Sequence, residues 1–238
     1  MKRYTVFVAR LSLASLLSGT FVVGVGAGHS PFERAHAVVG VLLVYAVLGL
    51  VLFALKERRL RSEAGVAMIL ALLELVPASP MLHGVVSPFL FTSLAWAALA
   101  ASKFESGEAI AFPGAAFVLP ALLAIPIAYG VAYRHQAAGM TEHVGSAMLV
   151  AGTVLIAAYV LQHQHPENRN LLSSCNVVMV AAVFQVVLGM SALVIRLLEL
   201  EDGIYLAVAR AIHIAGAAPL LAATVILASQ YRQRVPAE

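Results

Sequence analysis

Apolar residues run along this chain in blocks of about twenty, separated by short charged or Pro/Gly-rich stretches, and they do not alternate with polar ones. The blocks cover residues 4–26, 35–55, 64–79, 83–101, 114–133, 143–162, 171–195 and 205–229. A helix crosses the hydrocarbon of a bilayer in about 20 residues, so blocks of this length predict membrane spans. Backbone amides in hydrocarbon must bond within their own segment, and no block has the two-residue period of a lipid-facing barrel strand. The expected fold is therefore all-α, a polytopic membrane protein with eight transmembrane helices. The third block is short and runs out at Val76-Pro77-Ala78-Ser79-Pro80, where helical backbone is disfavoured.

Composition supports this reading. Of 238 residues 61% are hydrophobic and 11% charged, with a mean hydropathy of +0.92. Soluble domains carry about a quarter charged residues, so a soluble globular protein is excluded. The net charge of +3 arises from 15 basic and 12 acidic residues that lie mostly between the blocks. It reports orientation and gives no basic groove for nucleic acid. Lys2, Arg3, Lys56, Arg58, Arg59, Arg61, Lys103, Arg169, Arg232 and Arg234 fall on one side, with Arg10 close by; Arg34, Arg134, Arg196 and Arg210 fall on the other. The positive-inside rule then puts both termini in the cytoplasm of a multi-pass protein of the cell (plasma) membrane. The first block is longer than the apolar region of a signal peptide and ends in no clear small-x-small cleavage site, so it is read as helix one. Cys175 is the single cysteine, which excludes an intramolecular disulfide, a cysteine zinc site and a cysteine-ligated iron–sulfur cluster. Metal chemistry is left to the eight histidines.

The chain reads as two tandem halves, residues 1–104 and 105–238. Gly24-Val25-Gly26-Ala27-Gly28-His29 followed by His36 parallels Gly130-Val131-Ala132-Tyr133-Arg134-His135 followed by His143. His83 precedes Pro88 as His213 precedes Pro219, and Glu74 falls where Gln185 falls. An even number of spans per half gives both the same topology, so two four-helix bundles related by a pseudo-twofold axis along the membrane normal are expected.

On that topology His36, His83, His143 and His213 lie toward the outer ends of the even-numbered helices, one pair per half. Two imidazoles on facing helices of a bundle can hold a haem iron from both axial positions. One histidine at a helix end is more often interfacial than a ligand, but four in matched positions favour ligation. His29 and His135 belong to outer loops and suit alternative ligands, propionate contacts or solvated residues, the last two being favoured. His163 and His165 read as an inner polar loop. Glu33 stands three residues before His36, on the same helical face if helix two begins that early, whereas Met140 stands three before His143. An acid at a helix N-terminus is also favoured by the macrodipole alone. Glu74, ionisable within an apolar block, suits a polar cavity, a proton relay or a bond to helix-four backbone. Arg34 and Arg210 suit either propionate pairing or snorkelling to the interface.

Together Glu33-Arg34-Ala35-His36, His83, His143, Phe184-Gln185-Val186-Val187-Leu188-Gly189 and Ile212-His213-Ile214-Ala215-Gly216-Ala217 give a pattern that resembles the haem A synthase family over nearly the whole chain. The resemblance implies an oxidoreductase that oxidises the methyl group of haem O to the formyl group of haem A for terminal oxidase biogenesis. It implies substrate haem between His36 and His83, a haem b cofactor between His143 and His213, and Glu33 as the catalytic carboxylate. The partners it implies are haem O synthase, a terminal oxidase and, as an open alternative, a second copy of the chain. A carboxylate near the reacting methyl could accept protons or stabilise developing positive charge. The chain departs from the family in its shortness, in lacking a cysteine pair in the first outer loop, and in carrying Ala37 where arginine is common. Two other functions use the same residues: a di-haem, quinol-linked electron carrier that needs no catalytic Glu33, and a non-enzymatic assembly subunit whose histidines are interfacial.

Overall fold

A computed structural model of the chain describes residues 2–25, 31–57, 60–76, 79–102, 118–198 and 204–232. His29, Arg58, Arg59, Pro77, Lys103, Arg234, the loop at 199–203 and the boundary between the halves at 104 and 105 lie outside the described residues. Eight helices and no strand occur among those described: α1 (Lys2–Val25), α2 (Pro31–Ala54), α3 (Arg61–Glu74), α4 (Pro80–Ala101), α5 (Val118–Arg134), α6 (Met140–Gln164), α7 (Arg169–Leu197) and α8 (Ile204–Arg232). The protein is all-helical, as the blocks predict.

The helix ends follow from local chemistry. Pro31 is the first residue of α2, where its missing N–H costs nothing and its fixed φ suits a helix start. This begins α2 four residues before the apolar block and places Glu33 and His36 on one helix. Ser79 caps α4 by accepting from Leu82 N at 3.2 Å, with Pro80 next to it. The α5–α6 turn closes with Ala137 N donating to Ala132 O at 2.8 Å and Gln136 N to Tyr133 O at 3.1 Å, while Gln136 adopts φ 59°. That is the Schellman arrangement, with glutamine in the left-handed position glycine usually fills.

Six helices, α1, α2, α4, α6, α7 and α8, are long and apolar enough to cross a membrane. The 14 residues of α3 reach about 21 Å, short of the roughly 30 Å of bilayer hydrocarbon. The 17 residues of α5 also fall below a full span. Outward faces are apolar, with Leu149 74% and Val180 70% exposed, which suits lipid and not water.

The chain divides into two compact units. The first holds residues 1–104 and 187–218, the second 105–186 and 219–238. In the first, α1 packs on α2 and α4, and α3 on α2 and α4, which closes a four-helix ring. Short connections between successive helices make neighbours antiparallel. Its core gathers Val8, Val47, Leu50, Leu90 and Leu94 around Ala64, Ala67 and Ala71, a small-residue stripe that lets α3 approach closely. The Tyr4 hydroxyl donates to Ala46 O at 2.7 Å over Gly49, where a Cβ would collide with it. The opposite end, where α1 and α3 stop and α2 and α4 begin, carries His36, Glu74 and His83. In the same unit Ala215 and Ala218 of α8 pack on Leu16, with Phe91 against them.

The second unit holds α5 on α6, together with residues 169–186 of α7 and 219–232 of α8. Polar side chains within it pair among themselves. Gln162 Nε2 donates to Asn176 Oδ1 at 2.6 Å, and Gln230 Nε2 to Ser174 Oγ at 2.6 Å.

Candidate functional site

His36, in the first turns of α2, and His83, in the first turn of α4, meet at the open end of the four-helix ring. Their ring centroids are 5.7 Å apart and their planes cross at 85°. Two imidazoles bound to one metal through nitrogen bonds of about 2 Å have centroids about 6 Å apart, so the spacing is close to that of an axial pair. Two nitrogens alone hold a bare ion poorly, and no group of three or more His, Cys, Asp or Glu able to hold one occurs among the described residues. The donor set suits iron whose remaining positions a porphyrin already fills.

Each ring is fixed through Nδ1, but by different chemistry. His36 Nδ1 lies 3.1 Å from Ser15 O and 3.1 Å from Ser18 Oγ on α1. A carbonyl only accepts, so Nδ1 bears the hydrogen and Nε2 keeps its lone pair for a metal. His83 Nδ1 instead pairs with Glu74 Oε2, and Ser87 Oγ lies 2.8 Å from Glu74 Oε1. Glu74 is the last residue of α3. It reaches side chains of α4, whereas the sequence suggested helix-four backbone as one partner. Its place follows from the early end of α3, which uncovers the first turn of α4.

A cavity of about 190 Å³ opens here, with Ser12, Ser15, His36, Gly40, Glu74 and His83 on its wall. That is smaller than the roughly 300 Å³ at which pockets for organic ligands begin. Ala37 and Val41, also on the wall, are exposed, and a Cβ at Gly40 would meet nothing within 4 Å. A macrocycle bound here would extend out of the enclosed volume through this open side. Glu33 lies in the first turn of α2, half-buried, one turn before His36.

The other two predicted ligands repeat one feature of His36. A Cβ on Gly19 of α1 would come within 2.9 Å of His36 Cε1, on Gly130 of α5 within 2.9 Å of His143 Cε1, and on Gly189 of α7 within 2.8 Å of His213 Cε1. Each imidazole thus rests on bare backbone of the preceding helix. His143 Nδ1 lies 3.2 Å from Pro126 O, four residues before its glycine, as Ser15 is four before Gly19. Tyr133 stacks parallel to His143 at 6.2 Å and 8°. His143 belongs to the second unit and His213 to the first, and each is described beside its own glycine.

Arg34 and Arg210 are exposed. His135 lies just beyond α5, where slight desolvation and then the adjacent Arg134 guanidinium lower its imidazole pKa. His163 is in α6, its Nδ1 2.9 Å from Tyr159 O, and His165 lies 3.9 Å from Glu167. Sequence reasoning did not single out Gly19, Ser15, Ser18 or Ser87, and used Gly130 only as a mark of the repeat and Gly189 only as the end of a segment that carries the resemblance. The glycines precede their histidines by 17, 13 and 24 residues, so no fixed spacing betrays them. No protein-family model matches the chain, and no curated protein matches it.

Proposed function

We propose that the chain is a haem-binding oxidoreductase of the haem A synthase kind, converting the methyl group of haem O to the formyl group of haem A. The observation that carries this reading is the His36–His83 pair, 5.7 Å apart, with Nδ1 of each ring already engaged. In this account His36 and His83 grip substrate haem O, and His143 and His213 hold haem b. Haem b, when bound, supplies a redox-active iron for electron transfer. In overall balance the methyl carbon gains one oxygen atom from water and gives up four electrons and four protons; an external electron acceptor would take the electrons, and Glu33, one turn before His36, would accept protons as they leave. Gly19 lets the His36 ring lie against α1, so that imidazole and carboxylate keep a fixed relation along one face of α2.

The finer architecture belongs to the same proposal: eight spans in two four-helix bundles, termini in the cytoplasm, haem sites toward the outer face of the plasma membrane. In it α3 and α5 cross with help from flanking segments or local thinning of the bilayer. Haem O synthase and a terminal oxidase are its expected partners.

Pigment extraction from cells that co-express the chain with a source of haem O tests the activity. Haem A is expected with the parent chain. Glu33→Ala is expected to abolish it while haem b stays bound. Normal haem A from Glu33→Ala would reduce Glu33 to a helix-terminal acid. Bound haem with no haem A from the parent would favour an electron carrier instead.

A further inference from the structure

We infer that Glu74 is a positioning residue for His83, and that it makes the two axial ligands of the first site unequal. The inference rests on the haem reading above and adds a role for a residue that reading leaves unused. Its basis is geometric. His83 Nδ1 is paired with Glu74 Oε2, the other carboxylate oxygen lies 2.8 Å from Ser87 Oγ, and Ser87 is one turn beyond His83 on α4. The Ser87 hydroxyl also lies 2.9 Å from His83 O, so α4 itself holds the serine that steadies the acid. The Glu74 side chain is 13% exposed and that of His83 41%, so the acid is the sheltered member and the imidazole reaches into the open cavity. His36 has only a backbone carbonyl and a hydroxyl at its Nδ1.

A carboxylate accepting from Nδ1–H fixes ring orientation and raises the basicity of the opposite nitrogen; neutral oxygens do the second far more weakly. His83 is thereby the stronger donor and stabilises the ferric over the ferrous state. His36 is the weaker one and the easier to release, an asymmetry suited to a porphyrin that must arrive and depart as substrate and product.

The test uses the full chain in a His143→Ala background, purified in detergent and titrated with iron protoporphyrin IX. The parent of this series is expected to bind one haem with a low-spin spectrum. Glu74→Gln keeps the shape and an acceptor for Nδ1–H but removes the charge. It is expected to raise the midpoint potential and to weaken binding about 10- to 100-fold, the usual effect of losing such an outer partner. Glu74→Asp is expected to recover part of both, and Ser87→Ala to move the potential in the same direction by less. A potential and affinity unchanged in both Glu74→Gln and Ser87→Ala would overturn the inference and leave the haem reading standing. A parent that binds no haem at all would overturn that reading, and this inference with it.

Discussion

Replacing Gly19 with valine is expected to strip haem from the first site while the helices stay folded. A single added Cβ would stand 2.9 Å from His36 Cε1, 3.3 Å from Nδ1 and 3.4 Å from Nε2. The ring has nowhere to retreat without losing its Nδ1 contacts to Ser15 O and Ser18 Oγ, each 3.1 Å long. A branched side chain adds two further methyl groups at the same place. Overpacking of this kind costs about 1–3 kcal/mol, which spread over an axial ligand amounts to roughly a ten- to hundred-fold loss of affinity. Gly65→Ala supplies the control. Its Cβ would meet nothing within 4 Å, and alanine is the better helix former by about 1 kcal/mol, so pigment should be retained and melting slightly raised. Haem content per protein in the purified variants decides the matter. Full haem in Gly19→Val would mean that the His36 ring does not depend on its seat.

The second large effect is expected from the ligands themselves. His36→Ala and His83→Ala should each remove the low-spin signal of the first site and leave that of the second. Pigment per protein should then fall by about half, because a porphyrin held by one imidazole is no longer six-coordinate through protein ligands. The two need not fall equally. With Glu74 behind it, His83 is the stronger donor, so His36→Ala should keep more residual high-spin haem than His83→Ala. Visible and electron paramagnetic resonance spectra of each variant read this directly. Two full low-spin signals in either variant would remove that histidine from the ligand set.

Much of this architecture is legible in the sequence. Charges and prolines interrupt the apolar blocks, and seven of the eight helices lie within a few residues of the predicted bounds, since lipid-facing sequence must be helical over its whole apolar length. The exception, α3, stops at Glu74 where the block was read on to residue 79, because helical backbone is disfavoured at the residue before a proline, here Val76, while the sequence is still apolar. That early stop is what creates the Glu74–His83 pair. The starting point of α2 was also hidden, since Pro31-Phe32-Glu33-Arg34 is too polar to count in an apolar block yet forms a normal first turn.

The site was legible only in part. Histidines announce themselves in an apolar chain because each is costly there. Their seats do not. Gly19, Gly130 and Gly189 differ from other helical glycines only in what faces them, and the connections between paired helices differ in length. The acceptors of the His36 and His143 Nδ1 atoms include backbone carbonyls, Ser15 O and Pro126 O, which no side-chain motif encodes. The histidine, glycine and carbonyl arrangement of α1–α2 recurs in α5–α6.

The account stands on His36 and His83 acting as axial ligands to one iron, and the most direct measurement is the low-temperature electron paramagnetic resonance spectrum of protein purified from cells amply supplied with haem precursor. The expected result is a low-spin ferric signal of bis-imidazole type that disappears in the double variant His36→Ala/His83→Ala. A folded protein that carries no haem signal, or one whose full signal survives that double change, would contradict it.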